Sequence, residues 1–193
     1  MSEKKISSWV RQGRGSGAGR DYLPWLRVTD VSSSGFSHRV WCERTDRMHH
    51  YLSFLEYKAH LMALFDPSVS DIREAYPLER TETRKLAELF GVPHPRYPGT
   101  RIDTVMTTDL LLTRCRPRGM FYEAWSVKPV VALAEYRVRE KLFLERAYYR
   151  ERNISFRIVT ERQLPEALLR NLERIRFALN LEMHPAFDEL EAR

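Results

Sequence analysis

Residues 106–113 read Met-Thr-Thr-Asp-Leu-Leu-Leu-Thr, and residues 121–128 read Phe-Tyr-Glu-Ala-Trp-Ser-Val-Lys. A short basic connection that contains Pro117 and Gly119 joins the two stretches. Apolar, β-branched and aromatic residues on both sides of such a connection predict two consecutive antiparallel strands. The sequence therefore predicts a β-hairpin at the centre of the fold.

Asp109 and Lys128 are the polar residues of this hairpin that can carry chemistry. Side chains two residues apart on a strand share a face, so Lys128 points the same way as Ser126. If this face coincides with that of Asp109, an acid and a lysine lie together on adjacent strands. A carboxylate in this position can bind a hard divalent cation, and the lysine can hold a phosphate or orient a water. The alternative is an ion pair with a purely structural role.

Glu56 is the upstream acid that favours the functional interpretation. It lies at the start of a predicted helix that continues through Tyr57–Phe65, and Ser53 three residues earlier predicts a capping box. A capping box alone would explain Glu56. The helix is apolar on most faces and should be buried, so this carboxylate needs a backbone amide, a lysine or a metal as its partner.

Length and composition indicate an ordinary globular protein with a polyanionic partner. The chain has 193 residues, of which 43% are hydrophobic and 30% charged, and its net charge is +6. No apolar run approaches membrane-spanning length, and the N-terminus has no apolar signal segment, so no membrane association is expected. Cys42 and Cys115 follow no metal or redox spacing, which favours free thiols in a reducing cytoplasm.

Residues 1–20 are basic and rich in alternating glycines. They do not form a phosphate loop, because no strand precedes them and no Gly-Lys-Ser/Thr follows. We expect a flexible arm here, which could lie along a nucleic-acid backbone.

A second hairpin is predicted over residues 38–51, after an extended stretch from Tyr22 to Val31. His49 and His50 lie in its second strand, where adjacent side chains face opposite sides. The two histidines cannot simply chelate one ion, so a surface or DNA contact is the favoured interpretation.

The rest of the chain completes a pattern of hairpin, helix, strand, helix, strand, strand, helix and strand. The remaining predicted elements are a strand over 69–78, a helix over 81–90, a long helix over 129–152, a strand over 155–159, and a helical segment over 164–193 broken at Pro185. This order predicts an α/β fold, a mixed β-sheet flanked by helices. The domains are then an arm (1–20), a catalytic domain (21–165) and a short helical C-terminal tail (166–193).

Glu56, Asp109 and Lys128 together fit metal-dependent phosphodiester hydrolysis. The two carboxylates would bind Mg²⁺, or Mn²⁺ as a substitute, and the lysine would add positive charge near the nucleophile. The backbone carbonyl of Val127 could complete the coordination. Glu145 lies on the predicted helix after Lys128, on the same side as Lys141, and is either a solvated residue or a further carboxylate for the metal.

Ordered motifs over residues 13–165 resemble the TnsA family, the endonuclease subunits of the heteromeric Tns transposases of Tn-seven-like elements. The principal motifs are Gly13-Arg14-Gly15-Ser16-Gly17, Ser37-His38-Arg39, His49-His50, Leu55-Glu56, Val105-Met106-Thr107-Thr108-Asp109, Ser126-Val127-Lys128, Glu140-Lys141-Leu142 with Glu145-Arg146, and Val159-Thr160-Glu161-Arg162. The resemblance implies a restriction-endonuclease-like fold with Glu56, Asp109 and Lys128 as the catalytic triad.

The resemblance also implies a reaction and partners. Such enzymes cut the non-transferred strands at the 5′ ends of the transposon, while a TnsB-like transposase cuts and joins the 3′ ends. The expected partners are double-stranded DNA at the transposon ends, the TnsB-like transposase, and a TnsC-like ATPase regulator that would bind through the C-terminal tail. The expected DNA-binding residues are Arg14, Arg20, His38, Arg39, Arg44, Arg47, His49 and His50.

Two features depart from the family pattern. Ser126 stands where a glutamine is common, and only about thirty residues follow the last predicted strand, so we expect the regulator contact to be reduced to a short helical tail. Two alternatives therefore stay open: a catalytically idle subunit that bridges DNA and partner proteins, and a stand-alone nuclease of the same fold.

Overall fold

The computed structural model describes residues 1–30, 37–117 and 119–182. Its helices are α1 (Glu3–Arg11), α2 (Phe54–Leu64), α3 (Arg80–Leu89), α4 (Tyr136–Glu151) and α5 (Glu166–Glu182). Its strands are β1 (His38–Cys42), β2 (Arg47–Tyr51), β3 (Val69–Pro77), β4 (Thr107–Arg116), β5 (Gly119–Val127) and β6 (Ser155–Val159). The predicted order of elements is confirmed from the first hairpin to the last strand.

A four-stranded mixed sheet carries the fold, in the order β3-β4-β5-β6. Its first three strands are antiparallel neighbours, and β6 runs parallel to β5. The predicted hairpin is the β4–β5 pair, with Leu110 opposite Trp125. Strands β1 and β2 form a separate two-stranded sheet. The predicted α/β fold with a mixed sheet is confirmed.

Each face of the sheet has its own apolar core. Alternation along β4 sends Leu110 to one face, where it packs with Leu61 of α2 and Leu169 of α5. It sends Leu111 to the opposite face, where it packs with residues of α3 and α4 such as Leu144. The central hairpin is therefore covered on both sides, which explains its nearly continuous apolar sequence.

A third, smaller core corrects the prediction of a flexible N-terminal arm. Residues Glu3–Arg11 form α1, which Ser2 caps by accepting a hydrogen bond from the amide of Lys5. Ile6 and Trp9 of this helix are buried against Trp25 and Val105. The arm folds because these two apolar residues, three apart on a helix, form one packing face.

The glycines that follow α1 serve a compact turn. Gly15 has a φ of +81°, and a Cβ there would lie 2.1 Å from the Cγ of Pro77 on β3. A side chain at this position would therefore be both strained and in collision. The glycine-rich stretch is a close-packed connection.

Three smaller predictions need correction or lie outside the described residues. The stretch from Tyr22 to Val31 contains a short 3₁₀ turn at Val28–Asp30, without a strand in its described part. The predicted helix over 129–152 divides into a 3₁₀ turn at Val130–Ala134 and then α4. The predicted break at Pro185 lies outside the described residues. No described helix is long and apolar enough to cross a membrane, and both cysteines are free, as predicted.

Candidate active site

Asp109 on β4 and Lys128 just beyond β5 form the ion pair that the strand geometry predicts. The Nζ of Lys128 donates to Oδ2 of Asp109 at 2.7 Å. The same oxygen accepts a hydrogen bond from the backbone amide of Val127 at 2.6 Å, and the hydroxyl of Ser126 lies 3.4 Å away. Lys128 also donates to the carbonyl oxygen of Val127 at 3.0 Å. The acid, the lysine and the proposed backbone ligand are therefore in one place.

Ser53 caps α2 as predicted, but the predicted capping box is only half formed, because Glu56 in the first turn accepts from the backbone amide of Leu52 and not from that of Ser53. The amide of Glu56 donates to the hydroxyl of Ser53 at 3.2 Å, and that hydroxyl donates back to Oε1 of Glu56 at 2.9 Å. Its Oε2 accepts from the amide of Leu52 at 2.9 Å. Burial, followed by the charge of Asp109, raises the pKa of Glu56 to about 7. The capping role and the proximity to Asp109 are therefore both present.

Glu145 on α4 is a buried residue of the site, which excludes the solvated alternative. Its side chain approaches from the face of the sheet opposite α2, and its Oε1 accepts a hydrogen bond from the hydroxyl of Thr108 at 2.6 Å. Burial, followed by the charge of Asp109, raises the pKa of Glu145 to about 7. Thr108 is a residue of this candidate site that the sequence did not single out, although it directly precedes Asp109.

Lys128 balances part of this negative charge. Burial alone would lower its pKa, but the charges of Asp109, Glu145 and Glu56 outweigh burial and raise it. Three carboxylates therefore share one ammonium group, and burial together with the charge of Asp109 raises the pKa values of the other two, Glu56 and Glu145, to about 7.

The donor set fits a hard divalent cation by its chemistry. Within the described parts of the chain, no three His, Cys, Asp or Glu side chains are arranged so that they alone could hold a metal ion. A cation at this place would therefore use the carboxylates together with other oxygen donors, such as the backbone carbonyl of Val127. Burial and the charge of Asp109 disfavour the ionised forms of Glu56 and Glu145, and a bound cation would favour those forms.

A cavity of about 420 Å³ opens onto these residues. Asp109, Lys128 and Glu145 lie in its wall, together with Lys141 one helical turn before Glu145. The rest of the lining consists mostly of apolar side chains from the loop before β4, from Leu26 and from α4, together with the polar side chains of Arg96, Thr104 and Thr107. The loop belongs to the same small core as α1, so the N-terminal segment helps to shape the cavity.

Three of the eight predicted DNA-binding residues are structural. Arg47 and His49 both pair with the buried carboxylate of Glu74, at 2.6 and 3.0 Å. Burial opposes the ionisation of Glu74, but His49 and Arg47 hold its pKa well below the usual range. Arg14 pairs with Asp30 at 2.5 Å, and its side chain is only 8% exposed. The prediction of DNA contacts at Arg14, Arg47 and His49 is corrected to a role in folding.

The other five lie at or near the surface. Arg39 is exposed, and the side chain of Arg20 is 72% exposed. Arg44 is exposed, but its guanidinium group donates to backbone carbonyls of α2 and β3. His38 stacks on Tyr57 with ring centroids 5.2 Å apart, and His50 is half-buried. Of the eight predicted contacts, Arg20 and Arg39 are the cations best placed to meet DNA.

The chain is similar to known proteins along most of its length. Residues 66–161, which include Asp109, Lys128 and Glu145, match the family model of the TnsA-like endonuclease N terminal domain. The chain is 41% identical over 173 residues to the transposon Tn7 transposition protein TnsA of Escherichia coli. The aligned region covers 90% of this chain and 62% of that protein. The chain therefore spans less than two thirds of the length of this relative.

Proposed function

We propose that this chain is a TnsA-like protein with a restriction-endonuclease-like fold and that it is the DNA endonuclease subunit of a Tn7-type transposase, a proposal supported by the family-model match and the 41% identity. The proposal rests on one observation: Asp109 and Lys128 lie close to Glu56 and Glu145 at one end of the central hairpin. An ion pair with a purely structural role would not need two further carboxylates whose pKa values are raised by burial and by Asp109.

The proposed reaction is hydrolysis of phosphodiester bonds in the non-transferred strands at the 5′ ends of the transposon. Glu56 and Asp109 would hold Mg²⁺, or Mn²⁺ in its place, with the carbonyl oxygen of Val127 as a further donor. Glu145 would support this site from the α4 side. When bound, the cation would supply charge to stabilise the transition state and would lower the pKa of the attacking water.

The chain's own residues supply the rest of the chemistry. Lys128 places a positive charge 2.7 Å from Asp109, where it can also attract the scissile phosphate. Val127 fixes Asp109 through its backbone amide. The hydroxyl of Ser126 is directed at the same carboxylate oxygen, so the shorter side chain at this position keeps the acid in place.

The proposed partners are DNA at the transposon ends and the other subunits of the transposase. The exposed side chains of Arg20 and Arg39 would contact the DNA backbone. A TnsB-like transposase would perform the cuts and joins at the 3′ ends, and a TnsC-like ATPase would contact the C-terminal segment 166–193. Of this segment, α5 is described up to Glu182.

The test is a strand-specific cleavage assay with the full chain, the TnsB-like transposase and Mg²⁺. We expect wild type to cut the 5′ ends, and Asp109→Asn to lose roughly a hundredfold or more in rate, because charge stabilisation by a bound metal is worth several kcal/mol and about 1.36 kcal/mol corresponds to tenfold in rate. The exposed Asp21→Asn serves as the matched control and should retain the wild-type rate. Equal activity of wild type and Asp109→Asn would refute the proposal. An inactive wild type that still assembles with DNA and the transposase would instead support a bridging subunit.

A further inference from the structure

The cavity beside Asp109 has three cationic side chains in its lining: Arg96, Lys128 and Lys141. Two of them have acidic partners. Lys128 pairs with Asp109 at 2.7 Å, and Arg96 lies 3.4 Å from Asp103. Among the described residues, Lys141 makes no ion pair and no side-chain hydrogen bond, so its charge is available to a ligand.

The position of Lys141 on α4 places this charge in the lining of the cavity. Lys141 precedes Glu145 by four residues, so the two side chains lie on the same helix face about 6 Å apart along the axis. Glu145 is 5% exposed and bonded to Thr108, whereas Lys141 is exposed. The helix therefore presents a buried carboxylate at the cavity wall and a lysine one turn closer to its own N-terminus.

Lys141 differs from the two cations that precede it on α4, because both of these have local partners. The neighbouring cations of α4 are engaged locally: Arg137 pairs with Glu140 at 2.7 Å, and Arg139 donates to the carbonyl oxygens of Leu133 and Ala134. An unpaired lysine beside a cavity that contains Asp109 and Lys128 is suited to an anion that enters along the same wall.

We propose that Lys141 binds the phosphate next to the scissile one on the cleaved DNA strand. The proposal rests on the proposed endonuclease function and adds a second phosphate subsite to it. Lys128 contacts the scissile phosphate beside Asp109. Lys141, one turn before Glu145 on α4, contacts the adjacent phosphate of the same strand. Lys141 is a positioning residue that fixes the register of the strand over the carboxylates.

Salt dependence distinguishes a phosphate contact from a general structural role. Each phosphate neutralised by a protein cation adds about −0.9 to the slope of log affinity against log salt concentration. We therefore measure binding of the full chain to labelled duplex DNA in Ca²⁺ across a salt series, for wild type, Lys141→Ala, Lys141→Arg and Lys85→Ala. Lys85 is an exposed lysine of α3, paired with Glu82, and is the matched control.

We expect Lys141→Ala to reduce the magnitude of the slope by about 0.9 and to weaken binding by roughly five- to tenfold near 0.1 M salt. Lys141→Arg should restore both, and Lys85→Ala should match wild type. Wild-type slope and affinity in Lys141→Ala would overturn the inference while leaving the endonuclease proposal intact. A weaker Lys141→Ala together with a wild type that cannot cleave in Mg²⁺ would support the phosphate subsite and refute the endonuclease. Absence of DNA binding by wild type would overturn the inference.

Discussion

Replacing Glu145 by glutamine should stabilise the metal-free protein at neutral and alkaline pH. The carboxylate is 5% exposed, and burial, followed by the charge of Asp109, raises its pKa from 4.5 to about 7. As pH rises above 4.5, the unfolded chain releases this proton while the folded chain keeps it. Stability is therefore lost between the two pKa values and stays low above about pH 7. Glutamine resembles the protonated form at every pH and avoids this loss.

The size of the effect follows from the shift in pKa. A rise from 4.5 to about 7, at about 1.36 kcal/mol per unit, corresponds to about 3 kcal/mol of unfolding free energy. For a protein of this length, that is roughly 6 to 12 °C in melting temperature. The amide oxygen introduced by Glu145→Gln can still accept the hydrogen bond from Thr108, so the substitution removes the charge and keeps this interaction.

Urea denaturation in EDTA, at several pH values between about 5 and 8, measures the difference in unfolding free energy between Glu145→Gln and wild type. We expect the stability gain of Glu145→Gln over wild type to be small near pH 5, to grow with pH and to level off above about pH 7. Glu151→Gln, at an exposed position of the same helix, controls for the removal of a charge. A gain that does not change with pH, or a wild type that is more stable than Glu145→Gln at about pH 8, would rule out this explanation. Added Mg²⁺ should narrow the gap, because an ion that binds only the folded wild type stabilises it.

The N-terminal core, Glu56 and the exposed arginines each allow a further test. Trp9→Ala should lower the unfolding free energy by about 3 to 5 kcal/mol in urea denaturation, because it empties the small N-terminal core; an unchanged midpoint would mean that α1 does not pack. Mg²⁺ affinity measured by calorimetry should rise between about pH 6 and pH 8, because Glu56, with a pKa of about 7, must lose its proton to bind metal; a flat profile would exclude Glu56 as a ligand. Replacing Arg20 and Arg39 by alanine should lower the magnitude of the salt slope of DNA binding by about 0.9 for each phosphate that is no longer neutralised; an unchanged slope would remove both residues from the interface.

The central hairpin and its ion pair could be predicted because both depend on local rules. Strand alternation places Asp109 and Lys128 on corresponding faces, and the turn residues fix the connection between the strands. The cap that Ser53 forms on the amide of Glu56 is likewise local, because the two residues are three positions apart. The buried position of Glu145 was one of two open alternatives, because it depends on how α4 packs against the sheet.

The wrong predictions concern positions whose structure is determined by residues distant in sequence. The hairpin pattern predicts surface positions for Arg47 and His49, but both contact the buried carboxylate of Glu74, which is 27 positions from Arg47. The glycine-rich composition of the N-terminal segment predicts flexibility, whereas Trp9 is fixed by its contact with Trp25. In each case a tertiary partner overrides the composition of the segment, and local sequence contains no signal for that partner.

The proposed function depends above all on a divalent cation held by Glu56 and Asp109 beside Lys128. Anomalous diffraction from crystals grown in Mn²⁺ tests this directly, because the ion's own signal gives its position. We expect a peak within bonding distance of carboxylate oxygens of both Glu56 and Asp109, close to the carbonyl oxygen of Val127, and no such peak in Asp109→Asn. Saturating Mn²⁺ with no peak at these residues, or a peak that persists unchanged in Asp109→Asn, would show that these carboxylates are not the metal ligands.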